Sequence, residues 1–127
     1  MSPISLRRFW KSLRYALQGL QRAADGENSF RLHALIAVFV VIAILVFQVH
    51  RLEAAILILV ISSILTLELV NTVVEKFSGM LEPRIHPYVG LIKDFMAGAV
   101  LLMSIAAVTI GVLILWPYLW TFIQGLS

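Results

Sequence analysis

The stretch Glu68-Leu-Val-Asn71-Thr-Val-Val-Glu75 sets two carboxylates and an amide at the end of a long apolar run. At about 100° per residue a helix carries Glu68, Asn71 and Glu75 in one narrow sector of its surface, so they are expected to point at one place. An ionisable residue inside an apolar span costs about 2.5–3.5 kcal/mol on insertion scales and marks a functional position by default. Glu68 is therefore a candidate acid–base group. Glu75 lies seven residues on, about 10 Å away along a helix axis, towards the end of the span. Elsewhere the chain offers Glu27 and the pair Lys93-Asp94. Hard cations such as magnesium take carboxylate oxygens and leave coordination positions for phosphates, and a nearby lysine neutralises phosphoryl charge. Glu27, Glu75, Lys93 and Asp94 together form an inventory for metal and phosphate, with Glu68 deep enough to meet a hydroxyl presented by a lipid headgroup.

The elements that must position these groups are helices in a membrane. Of 127 residues, 61% are hydrophobic and 13% charged, with a mean hydropathy of +0.96, well above the usage of water-soluble domains. Residues 4–24 place Leu6, Phe9, Trp10, Leu13, Ala16, Leu17 and Leu20 on one face and Arg8, Lys11, Tyr15, Gln18 and Arg22 on the other. Such a basic amphipathic helix lies on an anionic leaflet. Arg8 and Tyr15, on its polar side, are alternatively placed to face a phosphorylated ligand. Because this segment is amphipathic and the first long apolar run begins beyond residue 30, no cleaved secretory signal is expected.

Asp25-Gly26-Glu27-Asn28-Ser29 reads as a break, with Gly26 permitting a turn and Asn28 or Ser29 capping the next helix. Glu27 and Arg31 are spaced for an i,i+4 ion pair, the bland alternative to a ligand role for Glu27. Spans are expected at residues 30–49, 54–76 and 89–116, the first two joined by a tight turn and the last two by a loop containing Glu82-Pro-Arg-Ile-His86-Pro87. Small residues from Ala97 to Gly111 are suited to close helix packing, and Trp116, Tyr118 and Trp120 to an interfacial anchor. Nine of the ten Lys and Arg residues fall in the N-terminal segment or around the loop between the second and third spans. The N-terminus, that loop and the candidate site are thus expected in the cytoplasm and the C-terminus outside. The chain is one domain of this all-α class.

Some chemistries are excluded. There is no cysteine, His33, His50 and His86 lack paired ligand spacing, and neither a P-loop nor a kinase-type glycine loop occurs. Two other readings stay open. In an ion or proton channel or a transporter subunit, Glu68, Asn71 and Glu75 line a polar path. In a non-catalytic scaffold the carboxylates pair with Arg31 or Lys93.

The blocks Glu27-Asn-Ser-Phe-Arg31-Leu-His33, Glu68-Leu-Val-Asn71-Thr-Val-Val-Glu75, His86-Pro87, Lys93-Asp94 and Ala97-Gly98-Ala99-Val100, in this order and spacing, resemble the bacterial integral-membrane diacylglycerol kinase and undecaprenol kinase family. The resemblance runs from about Arg8 to Trp116. It implies a homotrimeric helical bundle, each subunit with a surface helix and three transmembrane helices, in the bacterial inner membrane. It implies phosphorylation of a lipid alcohol with ATP and Mg2+ at sites shared between subunits. On this resemblance Glu68 is the proton acceptor and Glu27 and Glu75 are the metal ligands. Arg8, Tyr15, Glu27, Asn71, Glu75, Arg84, His86, Lys93 and Asp94 contact ATP, while Phe30, His33 and Ala97 contact the lipid. Gly79 departs from the family by standing where many members carry aspartate, and Phe95-Met96 departs after Lys93-Asp94. His86-Pro87 and Ala97-Gly98-Ala99-Val100 look more like the undecaprenol branch, since the diacylglycerol branch often has serine at the position of Ala97.

Overall fold

The computed structural model describes residues 3–81 and 86–126, without the side chain of His86. Within these the chain is all helix: α1 (Leu6–Gly26), α2 (Asn28–Val46), α3 (Arg51–Leu81) and α4 (His86–Gly125). Arg84 of the candidate nucleotide set lies outside the described residues. Helices α2, α3 and α4 are each long and apolar enough to cross a bilayer. Helix α3 is the centre of the chain, packed against both α2 and α4, while α1 joins α2. This agrees with the expected surface helix and three spans.

Local chemistry explains the junctions. Helix α1 starts at Ser5, whose side chain accepts from the Arg8 amide, and ends at Glu27 in extended backbone (φ −110°, ψ 110°). The last carbonyls of a helix have no partner within it. Arg31 reaches back to fill that need, donating Nε to Ala24 O and Nη2 to Asp25 O. The Glu27–Arg31 ion pair expected from their spacing is therefore not formed, because the guanidinium is committed to carbonyls. Nor do Asn28 and Ser29 cap α2; its N-cap is Glu27, without a side-chain hydrogen bond. At the other end of α2, Gln48 takes φ 50° and the Val49 amide donates to Ile44 O at 3.1 Å. That is a Schellman ending, which reverses the chain in the few residues before Arg51.

Both remaining helices outrun their expected limits. Helix α3 continues through Ser78 and Gly79, where a loop was expected, and buries Ser78. Helix α4 passes through Pro117 to Gly125, carrying the aromatic anchor on a continuous helix rather than beyond its end. Some hydroxyls within the spans are satisfied by the preceding turn: Ser63 donates to Leu59 O, Thr72 to Glu68 O and Thr109 to Ile105 O. The end of the bundle at the α2–α3 turn is tied by side chains. Tyr118 OH accepts from the His50 amide and donates to Glu53 Oε1, both at 3.0 Å, beside the ring contact of Phe47 with Phe122 at 5.7 Å.

Few apolar side chains among the described residues are buried within the single chain: Phe30 and Ala37 of α2, Leu57 and Val60 of α3, and Val89 of α4 with Ala23 of α1. Large residues such as Leu35, Leu45, Leu102 and Leu113 are exposed on the single chain. In a bilayer such faces meet acyl chains or other helices, so exposure here is not the liability it is in water.

Candidate active site

Helix α3 carries the polar groups, and its neighbours decide what each can do. Glu68 is buried at 4% exposure and turns towards α2, where its Oε1 lies 2.9 Å from His33 Nδ1. That approach is close but off the hydrogen-bond axis, since the ring nitrogen has no aligned partner. Below the pair, away from Glu75, runs an apolar groove of about 440 Å³ between α2, α3 and α4. His33 lines it with Ile36, Val40, Leu57, Ile64 and Ser104, and Leu119 extends it far along α4.

Nearer the Glu75 end of α3 a second cleft, about 510 Å³, opens between α3 and α4. Asn71, Val74 and Glu75 line it from α3, and Lys93, Asp94, Met96 and Ala97 from α4. Asn71 Nδ2 donates to Glu75 Oε1 at 3.2 Å, holding the carboxylate against its own helix. A third cleft, about 870 Å³, separates α1 from α3 and is lined by Arg22, Gly26 and Glu27 on one side and Leu69, Thr72, Val73 and Lys76 on the other.

The sequence expectation that Glu68, Asn71 and Glu75 point at one place needs correction. Asn71 and Glu75 line the cleft towards α4, whereas Glu68, about 10 Å from Glu75 along the axis, pairs with His33 of α2. Glu27 and Glu75 also line different clefts, on two flanks of α3. Arg8 and Tyr15 stay exposed on α1 and line none of these clefts. Ala97 lines the same cleft as Glu75, Phe30 is buried one turn before His33, and His86 is the first residue of α4. A Cβ at Gly79 would meet nothing within 4 Å, so no steric need excludes an aspartate there. Phe95 is exposed, and Met96 lines the Glu75 cleft.

Sequence reasoning did not find the His33–Glu68 pairing. The signal was the tight turn at Gln48–His50, which makes α2 and α3 antiparallel and sets residues roughly equidistant from it at one depth. As for a metal, no group of three or more His, Asp or Glu converges among the described residues. An open donor set of one or two carboxylates suits magnesium, which keeps waters and completes its shell with substrate phosphate. Glu75 with Asp94, or Glu27, fits that role; among the described residues no closed protein cage is formed.

A polytopic helical membrane protein with a buried carboxylate against a groove-lining histidine, and a carboxylate–amide–lysine cleft nearby, suits chemistry on a membrane-resident molecule. Comparison with known proteins makes the class specific. The prokaryotic diacylglycerol kinase family matches residues 14–115, and the chain belongs to it. It is 34% identical over 114 residues to the undecaprenol kinase of Bacillus subtilis (strain 168), covering 90% of this chain and 93% of that one. It is 35% identical over 107 residues to a diacylglycerol kinase of Synechocystis, covering 84% of this chain and 61% of the relative. Against a diacylglycerol kinase of Helicobacter pylori (strain J99) identity is 30% over 114 residues, 90% of this chain and 82% of that one. The protein is thus a membrane-embedded lipid kinase with ATP as phosphoryl donor, and no observation favours a channel.

Proposed function

We propose that the chain transfers the terminal phosphate of ATP to the primary hydroxyl of undecaprenol, giving undecaprenyl phosphate, with diacylglycerol as the second acceptor. The observation that carries this reading is Glu68, buried between α2 and α3 against His33, which itself lines the apolar groove. The groove follows α4 from Ser104 to Leu119, about 22 Å of helix, and so suits one long hydrocarbon chain with its hydroxyl delivered to the carboxylate. The full-length match to an undecaprenol kinase supports the same choice.

Glu68 accepts the hydroxyl proton as the lipid oxygen attacks the γ-phosphorus, and the bond to the β,γ-bridging oxygen breaks to release ADP. Phosphoryl transfer asks mainly for in-line positioning and charge neutralisation. Lys93 and Asn71 bracket the triphosphate in the α3–α4 cleft with Asp94, while Arg8, Tyr15, Arg84 and His86 contribute to nucleotide binding. Glu75 and Glu27 hold Mg2+, which when bound neutralises phosphate charge. Phe30 and Ala97 border the lipid.

Because Glu27 and Glu75 line separate clefts in one subunit, a complete site joins clefts of neighbouring copies, and a homotrimer supplies them. The exposed apolar faces of α2 and α4 provide the surface for that assembly. The protein resides in the bacterial inner membrane with its N-terminus and site in the cytoplasm and its C-terminus outside, as the distribution of Lys and Arg favours.

Glu68→Gln tests the reading in a folded, correctly assembled preparation. Loss of a general base lowers turnover on both lipids by about 10²- to 10⁴-fold. Turnover at the wild-type rate would remove Glu68 from the chemistry.

A further inference from the structure

The apposition of His33 to Glu68 has no task in the transfer as described. It joins two groups withdrawn from solvent, with side-chain exposures of 20% and 6%, at a separation of 2.9 Å. A carboxylate has two equivalent oxygens and a soft terminal torsion, so burial alone does not decide which oxygen meets a substrate. A base must lie within hydrogen-bond reach of the proton it takes, and small misplacements are costly.

From this geometry we infer that His33 is a positioning residue for phosphoryl transfer: it holds one oxygen of the Glu68 carboxylate so that the other faces the lipid hydroxyl. The inference rests on the reading of Glu68 as base. Three features of the surroundings support it. The ring lies on the buried side of α2, with Phe30 and Ala37 buried one turn before and one turn after it. Thr72, one turn after Glu68, does not compete for the carboxylate, because its hydroxyl donates to the Glu68 backbone carbonyl at 3.0 Å. His33 also lines the apolar groove, so a hydrocarbon chain lying there touches the ring that steadies the base. The Nδ1 atom lacks an aligned partner. Catalytic hydrogen bonds are often poorly aligned without substrate and tighten in the reacting complex. A small rotation of the ring, as lipid fills the groove, aligns Nδ1–H with Oε1. During transfer the hydroxyl proton passes to the other oxygen of Glu68, the lipid oxygen bonds to the γ-phosphorus, and ADP departs. His33 neither gains nor loses a proton.

The test compares His33→Leu and His33→Asn in the full chain, reconstituted in bilayers with undecaprenol, ATP and magnesium. Assembly state and thermal stability are measured on the same preparations. Asparagine presents an amide nitrogen near the position of Nδ1, whereas leucine fills the space without a donor. The expected result for His33→Leu is a fall in kcat of about 100-fold, the size of loss a misplaced catalytic group produces, with the ATP KM unchanged. His33→Asn is expected to recover most of that rate. A purely structural role would instead lower thermal stability and assembly in step with activity, and asparagine would not rescue turnover. Should the leucine variant fail to assemble, the ring 15N spectrum of the otherwise wild-type protein decides: Glu68→Gln is expected to shift the Nδ1 resonance of His33. Wild-type kcat in His33→Leu, failure of asparagine to rescue in a stable assembly, or an unmoved Nδ1 resonance each overturns the inference. If Glu68→Gln is inactive while His33→Leu turns over normally, only this inference falls. If Glu68→Gln is itself active, the assignment of the base falls instead.

Discussion

The two ends of the bundle use similar residues to opposite effect. At the His50 end, a histidine amide, a glutamate and a tyrosine satisfy one another: Tyr118 OH accepts from His50 and donates to Glu53, tying α4 to the start of α3. At the opposite end, Glu75 takes a hydrogen bond from Asn71 of its own helix and still lines an open cleft with Lys93 and Asp94. Glu27 lines another cleft, because Arg31 is committed to the carbonyls of Ala24 and Asp25 rather than to the carboxylate. Glu68 lies between these regimes, buried like a structural group yet paired with a histidine that lines a groove. Polar groups that close a helix junction face one another, and the groups proposed to serve a ligand face a cleft.

Substitutions at both ends can break this contrast. The largest effect is expected at the ligand-facing end, where Glu75→Gln weakens the apparent affinity for magnesium by roughly 100-fold or more. A magnesium titration of initial rates checks this, and an unaltered metal dependence removes Glu75 from the ligand set. Lys93→Met deletes a charge-assisted contact to phosphate worth about 1.4 kcal/mol, raising the ATP KM roughly tenfold. Its KM for the lipid should stay at the wild-type value in the same assay. Arg31→Met uncovers the carbonyls at the end of α1 and costs about 1 kcal/mol. Faster amide exchange around the α1–α2 junction reports it, with turnover falling only as far as Glu27 is displaced. The smallest functional effect belongs to Tyr118→Phe, which removes the donor to Glu53. Thermal unfolding should show a loss of about 1–2 kcal/mol at unchanged kcat; a drop in kcat would mean that the Tyr118 tie also shapes the site.

Much of this arrangement is legible from residue order. The three spans follow from hydropathy and length, the surface helix from the three-and-four spacing of Leu6, Phe9, Trp10 and Leu13, and the candidate groups from carboxylates placed where apolar residues belong. Helical periodicity states the angle between Glu68, Asn71 and Glu75 but not which helix stands opposite each. That depends on packing, and it is why an apparent single cluster divides between α2 and α4. The fate of Arg31 was hidden for a related reason. Its i,i+4 spacing to Glu27 describes an unbroken helix, whereas extended backbone at Glu27 brings the end of α1 within reach of the guanidinium. Ser78 and Gly79 carry the residue types of a loop, yet the helix persists through them and Ser78 is buried. A propensity for turning was overridden by packing.

The most direct test of the central claim is transfer of labelled terminal phosphate from ATP by the wild-type protein to undecaprenol and to diacylglycerol, run side by side in matched bilayers with magnesium. The account predicts labelled undecaprenyl phosphate, formed with a higher kcat/KM than phosphatidic acid. Label on neither alcohol from a folded, assembled preparation would contradict it.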